Sequence, residues 1–289
     1  MSVDALQGSD APFDARIHAL RGQPGQIAVA AFLRQVMEGS DIRKSHIECD
    51  RVQDPYSFRC QPQVMGASLD LLNCAGRTLR LKRMLFPITR LSFRIRMRRC
   101  RAGTFTRSRS LSRRIRSPWR CAKRDRFPSA GFAVLVDPKM SGMPAFLVKD
   151  GGVNSGFMIT QVTAAALVAE NRSQAFPASV DPVPTSANQE DHVSMATGAA
   201  RKAARVVRNA AGIIGLELMA AAQGIDFHAP HVTSDILQGA HAQVRAHSAF
   251  LEKDRYLAPE IEALQDCVHE GALLHGTPIG EMAAALFRA

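Results

Sequence analysis

The sequence predicts an all-α protein organised around long helices. Two apolar, alanine-rich segments lie within 151–224, and a polar loop containing three prolines separates them. In the second segment, 192–223, apolar residues recur at helical spacing and most of the basic residues fall between them. At about 1.5 Å per residue this helix would be roughly 48 Å long, which is typical of a large helical bundle.

Local signals place the ends of these helices. Asn154 is a good N-cap residue for the first helix, and the prolines within 177–184 end it because proline lacks a backbone N–H group. The second helix is expected to begin near His192. Since Gly212 and Gly215 weaken a helix, we expect a neighbouring helix to approach closely where they lie.

Shorter helices are predicted on both sides of these two. Residues 1–72 contain one apolar series that ends at Gly39 and another that begins after Pro62. Towards the C-terminus, helices are predicted over 234–247 and 272–288. The chain therefore predicts helical structure near both ends.

Composition narrows the class of protein. With 289 residues, of which 46% are hydrophobic, the chain can form one large or two ordinary domains with a substantial core. No uninterrupted apolar stretch of about 18 residues is present, so no membrane-spanning helix is expected. The N-terminus lacks the pattern of a secretory signal, and the six cysteines are too scattered for a disulfide framework or zinc site. We expect free thiols and a cytoplasmic location.

Positive charge is concentrated in one segment. The net charge is +11, but residues 73–132 hold 19 Lys and Arg against one acid, Asp125, while the rest of the chain has 18 basic and 25 acidic residues. This segment also lacks a sustained helical or strand period. The sequence therefore predicts a helical segment 1–72, an Arg-rich and poorly ordered segment 73–132, and a C-terminal helical part 133–289.

Four separated motifs carry a family resemblance. They read Gln-Asp-Pro-Tyr-Ser-Phe-Arg-Cys-Gln-Pro-Gln-Val-Met-Gly at 53–66, Asp-Pro-Lys-Met-Ser-Gly at 137–142, Asn-Ser-Gly-Phe-Met-Ile-Thr-Gln-Val-Thr at 154–163 and Thr-Ser-Ala-Asn-Gln-Glu-Asp-His-Val-Ser-Met at 185–195. In this order they resemble the signatures of the histidine ammonia-lyases, within the aromatic amino acid ammonia-lyase family. The resemblance covers about 1–72 and 133–289 and corresponds only to the later part of the family's chain.

This resemblance implies both a fold and an activity. The expected fold is the long-helix central bundle of the ammonia-lyase and fumarase type, truncated at its N-terminus. Intact members of the family convert L-histidine to urocanate and ammonia in histidine catabolism. They assemble as homotetramers whose active sites combine residues of several subunits.

The first candidate site residues lie in the motif at 53–66. Arginine grips a carboxylate in a bidentate manner through its planar fork of donors. The resemblance assigns Arg59 and Gln53 to substrate binding and places Tyr56 among the catalytic residues. On composition alone, a structural tyrosine and a surface arginine would be the simpler interpretation.

The second candidate pair is Gln189 and Glu190. A carboxylate at a buried helix entrance can orient an imidazole ring or transfer a proton. The resemblance makes Glu190 catalytic and Gln189 substrate-binding, because this pair is the histidine-specific form of the motif. The alternative for Glu190 is an acid that stabilises the N-terminus of the following helix through the helix dipole.

Two parts of the family's reaction centre are missing from the sequence. The family's electrophile is a methylidene-imidazolone that forms from an internal Ala-Ser-Gly, whereas here Leu69 follows Ala67-Ser68 and Val180 follows Ala178-Ser179. The proposed catalytic tyrosine of the family lies upstream of Met1. Without an electrophile, positioned groups have no activated substrate to act on. We therefore expect no cofactor in this chain and no activity from the chain alone.

The Arg-rich segment contains a pattern in a second reading frame. Codons permitted for residues 103–112, read with a shifted frame, yield Asn-Phe-His-Ala-Glu-Pro-Val-Ala-Phe, which the family has at this place. With the same offset, codons for 86–93 yield Ser-Asp-Asn-Pro-Leu-Val-Phe, another family motif. We interpret 73–132 as a frameshifted segment, or as an equivalent sequence error.

A different class of function competes with the lyase interpretation. Arginines within 77–126, with Trp119 available to stack on a base, are also typical of a nucleic-acid-binding protein. Charge alone gives weak binding without sequence preference, so nucleic acid is the less favoured partner. Binding that depends on Trp119 would support this alternative.

Overall fold

The computed structural model describes residues 1–47, 51–84, 91–95, 98–102, 126–178, 180 and 183–287. These residues form mainly α-helices, joined by turns and three short 3₁₀ segments. In chain order the helices are α1 Ser2–Ala5, α2 Ala15–Arg21, α3 Pro24–Met37, α4 Asp41–Lys44, α5 Tyr56–Arg59, α6 Gln61–Met84, α7 Arg126–Val136, α8 Pro138–Ser141, α9 Met158–Gln174, α10 Ala196–Asp226, α11 Asp235–His247, α12 Ala258–Glu270 and α13 Pro278–Ala285.

The 31-residue helix α10 is the centre of the core. Its apolar face packs against α7, α9 and α12, and its C-terminal half also contacts α1. The buried side chains of this half include Leu216 and Met219, and Phe132 meets Phe157 edge-to-face nearby, with ring centroids 6.3 Å apart. Burial around most of its circumference explains why this half of the helix is almost continuously apolar.

Helices α3 and α6 form the second close helix pair. They approach so tightly that a Cβ atom on Gly25 would lie 2.3 Å from the Gly66 carbonyl oxygen. Helix α6 then continues towards the C-terminal helix, where Asn73 Nδ2 donates to the Leu286 carbonyl at 3.2 Å. The short helix α5, which carries Tyr56, contacts both α6 and α7.

The predicted all-helical fold is confirmed, with shifted boundaries. Helix α10 begins at Ala196 rather than near His192 and extends beyond 223 to Asp226. As predicted, a neighbouring helix packs on Gly212 and Gly215: a Cβ atom on either glycine would meet atoms of Gln265 at 3.1–3.3 Å.

The predicted segment 73–132 contains regular structure at both ends. Helix α6 runs through the expected boundary at 72 and ends at Met84, and α7 begins at Arg126. A two-stranded antiparallel hairpin, β1 Leu91–Ile95 and β2 Arg98–Ala102, lies between them. Most of the proposed frameshifted stretch, including 103–125, lies outside the described residues. Among the residues that are described, no helix is long and apolar enough to cross a bilayer.

Candidate functional site

Tyr56 and Arg59 are brought together by the short helix α5. Pro55 precedes this helix. The backbone N–H groups of Phe58 and Arg59 donate to the Pro55 carbonyl oxygen at 2.9 and 3.2 Å. The guanidinium carbon of Arg59 lies 3.8 Å from the centroid of the Tyr56 ring. This stacking is a cation–π contact that fixes the plane of the guanidinium group. Tyr56 is 65% exposed, so the pair faces accessible space.

Long-range hydrogen bonds hold the loop before this helix. Asp54 accepts the backbone N–H of Ser9 at 2.8 Å, and its side chain is only 8% exposed. Arg51 donates through Nη1 to the Leu6 carbonyl at 3.1 Å and through Nη2 to the Ser141 carbonyl at 3.4 Å. The loop that carries the candidate site is therefore tied to two distant parts of the chain.

Gln53 lies in a cleft of about 410 Å³ beside this loop. Arg43 lines the cleft and pairs through Nη1 with Asp10 at 2.6 Å. Lys44 is another cation of the lining, which as a whole consists of residues 7–10, 43, 44, 46, 47 and 51–54. Within this lining Arg43 pairs with Asp10 and Arg51 with Asp54, so these charges already offset one another.

Gln189 and Glu190 occupy an exposed turn rather than a buried helix entrance. Backbone bonds in both directions between Thr185 and Glu190, at 3.0 and 3.2 Å, close the turn. The residues 186–188 all have positive φ angles between 51° and 65°, although none is glycine. Because α10 begins six residues after Glu190, this carboxylate is also too far along the chain to cap that helix.

The structure does not join the two groups of predicted site residues. Within the described part of the chain, no hydrogen bond or ion pair links Tyr56 or Arg59 to Gln189 or Glu190. Tyr56 is exposed on α5, and Gln189 and Glu190 are exposed on their own turn. A site containing both would therefore need further contacts to complete it.

Sequence reasoning missed Gln63, which lies four residues after Arg59 in the first turn of α6. Among the residues that the structure describes, no hydrogen-bond partner reaches its buried Oε1 atom or the buried Nε atom of Arg59. Cys60, with φ −99° and ψ 16°, separates α5 from α6, so the spacing of four residues did not by itself place the two side chains on one helix face. The neighbouring Cys60 is not poised as a nucleophile, because burial raises the pKa of its thiol despite the opposing charge of Arg59.

A second missed residue is Glu217, the acid within the apolar half of α10. Burial raises the pKa of its carboxyl group to about 7, although a 2.8 Å hydrogen bond from the Ser2 hydroxyl opposes that shift. It borders a cavity of about 200 Å³ that Gln61 and Met65 also line. Its isolation among apolar residues was a signal in the sequence that an unusual acid was present.

The residues present do not fit the family's methylidene-imidazolone. That group requires an Ala-Ser-Gly sequence, and neither Ala-Ser pair of the chain is followed by glycine. Ser68 lies inside α6 and donates to the Val64 carbonyl at 3.0 Å, as an ordinary helical serine does. Within the described ranges, no group of three or more His, Cys, Asp or Glu residues is placed to hold a metal ion.

Comparison with known proteins identifies a family of similar sequences. The family model for aromatic amino acid lyases matches residues 1–82 and 128–246. Histidine ammonia-lyase from Aromatoleum aromaticum is 49% identical over 279 residues, which are 96% of this chain and 53% of that enzyme. The Burkholderia pseudomallei enzyme is also 49% identical and matches 96% of this chain and 55% of its own length. The chain thus spans about half the length of these relatives.

Solved structures show the same architecture. The crystal structure of histidine ammonia-lyase from Trypanosoma cruzi has a TM-score of 0.88 and 34% identity, covering 99% of this chain and 54% of that one. Tyrosine aminomutase from Streptomyces globisporus has a TM-score of 0.85 and 29% identity, covering 100% of this chain and 57% of its own. None of these relatives supports the nucleic-acid alternative.

Proposed function

Because the chain belongs to the aromatic amino acid lyase family, we propose that it is the C-terminal part of a histidine ammonia-lyase. The intact enzyme would convert L-histidine to urocanate and ammonia. The observation that carries this proposal is the Arg59 guanidinium stacked on Tyr56, within a motif of this family. Relatives at 49% identity that bear the name histidine ammonia-lyase support the choice of substrate.

In this proposal the α5 segment supplies the grip on the amino acid. Arg59 would bind the carboxylate through its planar fork, and Tyr56 would hold that fork in plane and take part in catalysis. Gln53 would contact the substrate from the neighbouring cleft. The positive charge of Arg59 beside an exposed ring gives an anionic group a defined place to bind.

Gln189 and Glu190 would recognise the imidazole ring and move its proton. The turn that carries them contains three consecutive non-glycine residues with positive φ. Such conformations are costly and often accompany functional sites, which supports a role for this turn. Since the turn is not joined to Arg59 in the single chain, we propose that a homotetramer completes the site, as the family resemblance implies.

We further propose that this chain alone has no lyase activity. It lacks the Ala-Ser-Gly sequence from which the family's electrophile is made. The segment 73–132 is proposed to be frameshifted, and the family match is interrupted within it, between 82 and 128. A cytoplasmic location stays a prediction from the sequence.

The test is reconstruction of a complete enzyme. The chain would be expressed with the N-terminal part of the Aromatoleum aromaticum enzyme, and residues 73–132 would be replaced by the corresponding segment of that relative. We expect ultraviolet absorbance of urocanate from L-histidine in this mixture and none from the unaltered chain alone. Absence of urocanate from the reconstructed pair, with tetramers present in solution, would refute the proposed function.

Two controls sharpen that test. Arg59→Lys keeps the positive charge but removes the planar fork, so it should raise the KM for L-histidine at least tenfold. L-Phenylalanine should give no product, because the Gln189–Glu190 pair is proposed to be histidine-specific. Sequencing of the nucleotides that encode 60–140 separately tests the frameshift, since one undisturbed reading frame under constraint would contradict it.

A further inference from the structure

A thiol and an imidazole ring meet between α11 and α12. His247 is the last residue of α11, and Cys267 lies near the end of α12. The Cys267 Sγ atom is 3.3 Å from the His247 Nε2 atom, which is within hydrogen-bonding reach for sulfur. Since His247 is exposed and Cys267 is only partly buried, a small molecule in solvent can reach the pair.

Packing and one hydrogen bond hold the two helices that carry this pair. Val244 and Leu264, each three residues before one member of the pair, are both buried in the core. The hydroxyl group of Ser248, at the end of α11, donates to Glu260 Oε2 of α12 at 2.6 Å. Functional side chains on such anchored helices keep their geometry more precisely than those on loops do.

Neighbouring charges already have other partners or face solvent. Asp266 pairs with Arg208 at 3.1 Å, and Arg245 pairs with Asp226 at 2.6 Å. Glu270, at the end of α12, is exposed. Among the residues that the structure describes, no ion pair joins a carboxylate to the imidazole ring of the pair. The ring is therefore available to the thiol.

We propose that Cys267 is a modification site at which its sulfur attacks the disulfide bond of a small molecule, with His247 as the general base. In the tautomer that carries the ring proton on Nδ1, His247 Nε2 accepts the Sγ–H of Cys267. A nucleophile and a base within hydrogen-bonding reach are the structural signature of an activated nucleophile. Removal of the proton matters because the thiolate, not the thiol, is the attacking species.

The reaction is a thiol–disulfide exchange, which needs no separate oxidant. A bond forms between Cys267 Sγ and one sulfur of the small molecule, while the bond between the two sulfurs of that molecule breaks. The thiol proton passes to His247 Nε2 and from there to the thiolate that leaves. The products are a mixed disulfide on α12 and one small thiol.

Cys60 is the matched thiol for comparison. It is also only partly buried, but burial raises the pKa of its thiol. Among the residues that the structure describes, no histidine forms a hydrogen bond with its sulfur. Neither Arg59 nor any other residue of the proposed lyase site takes part in the exchange at Cys267, so lyase activity and thiol modification can fail separately.

The test measures how fast each cysteine of the full, reduced chain reacts with dithiodipyridine, a neutral small disulfide. Acid stops the reaction, and mass spectrometry of the peptides identifies each modified cysteine. Near pH 7 we expect Cys267 to react at least about tenfold faster than Cys60. His247→Gln should slow the reaction of Cys267 about tenfold and leave that of Cys60 unchanged.

Two controls separate a base from a structural contact. His269→Gln removes an exposed histidine from the helix that carries Cys267 and should not change its rate. At about pH 9.5 an ordinary accessible thiol is itself mostly ionised, so the Cys267 rates of the unaltered chain and of His247→Gln should converge.

Three results would overturn the proposal. The first is a Cys267 rate no higher than that of Cys60, and the second is an unchanged rate in His247→Gln near pH 7. The third is an equal slowing in His247→Gln at both pH values, because it would show that His247 affects access to the thiol rather than its proton.

Discussion

Replacing Gly66 by alanine should force apart two helices that touch through their backbones. A Cβ atom at this position would lie 2.4 Å from the backbone nitrogen of Gln26 and 2.5 Å from its Cα atom. Non-bonded carbon atoms normally sit about 3.5–4.0 Å apart, so the helices α3 and α6 would have to separate by roughly 1 Å. No rotamer change can relieve this clash, since all three of the nearest atoms belong to the backbone.

Overpacking of a well-packed interior costs about 1–3 kcal/mol, occasionally more, and we expect Gly66→Ala to reach about 3 kcal/mol. For a protein of this size each kcal/mol lowers the melting temperature by about 2–4 °C. The expected loss is therefore about 6–12 °C, measured by circular dichroism during heating and by urea unfolding.

Gly76→Ala is the matched control on the same helix. A Cβ atom there would meet nothing within 4 Å. Since alanine favours a helix over glycine by up to about 1 kcal/mol, this variant should be as stable as the unaltered chain or slightly more stable. A melting temperature for Gly66→Ala equal to that of Gly76→Ala would refute the close crossing of α3 and α6.

Three further substitutions test the polar interior. Gln223→Leu should cost about 3 kcal/mol or more in urea unfolding, because it leaves the Leu147 and Leu251 carbonyls without the donor that now lies 3.1 and 3.0 Å away. Burial opposes ionisation of Asp226, but the His241 and Arg245 side chains outweigh it and lower its pKa. Its stabilisation is therefore present above its unfolded pKa of about 3.9 and is lost as the pH falls through the lower folded value. Asp226→Asn should reduce this loss in acid unfolding, and Asp150→Asn, in an exposed loop, should not. Burial raises the pKa of Glu217 to about 7, so unfolding free energy should fall as the pH rises from about 4.5 to 7. Glu217→Gln should remove that fall and stabilise the chain at pH 8 by on the order of 2 kcal/mol; an unchanged pH profile would contradict the buried acid.

Helical periodicity and the motifs were sufficient for the fold class and the family. The long helix α10 has an apolar repeat that extends over 31 residues. A repeat of this length predicts a helix whichever elements pack against it. Its N-terminal boundary was wrong by four residues, because Met195 makes no side-chain cap and no local signal marks Ala196 as the start. Tyr56 and Arg59 could be predicted as neighbours in one site because both belong to the same sequence motif.

Contacts between residues far apart in the chain had to come from the folded structure. No local pattern indicates that Gly66 touches Gln26, that Asp54 binds the Ser9 N–H, or that Gln223 bridges two loops. Such contacts depend on how helices cross, and the crossing is set by packing over the whole interior. Sequence patterns indicate which face of a helix is buried and which residue types a site needs. The hydrogen-bond partner of each buried polar atom is decided only when the helices pack against one another.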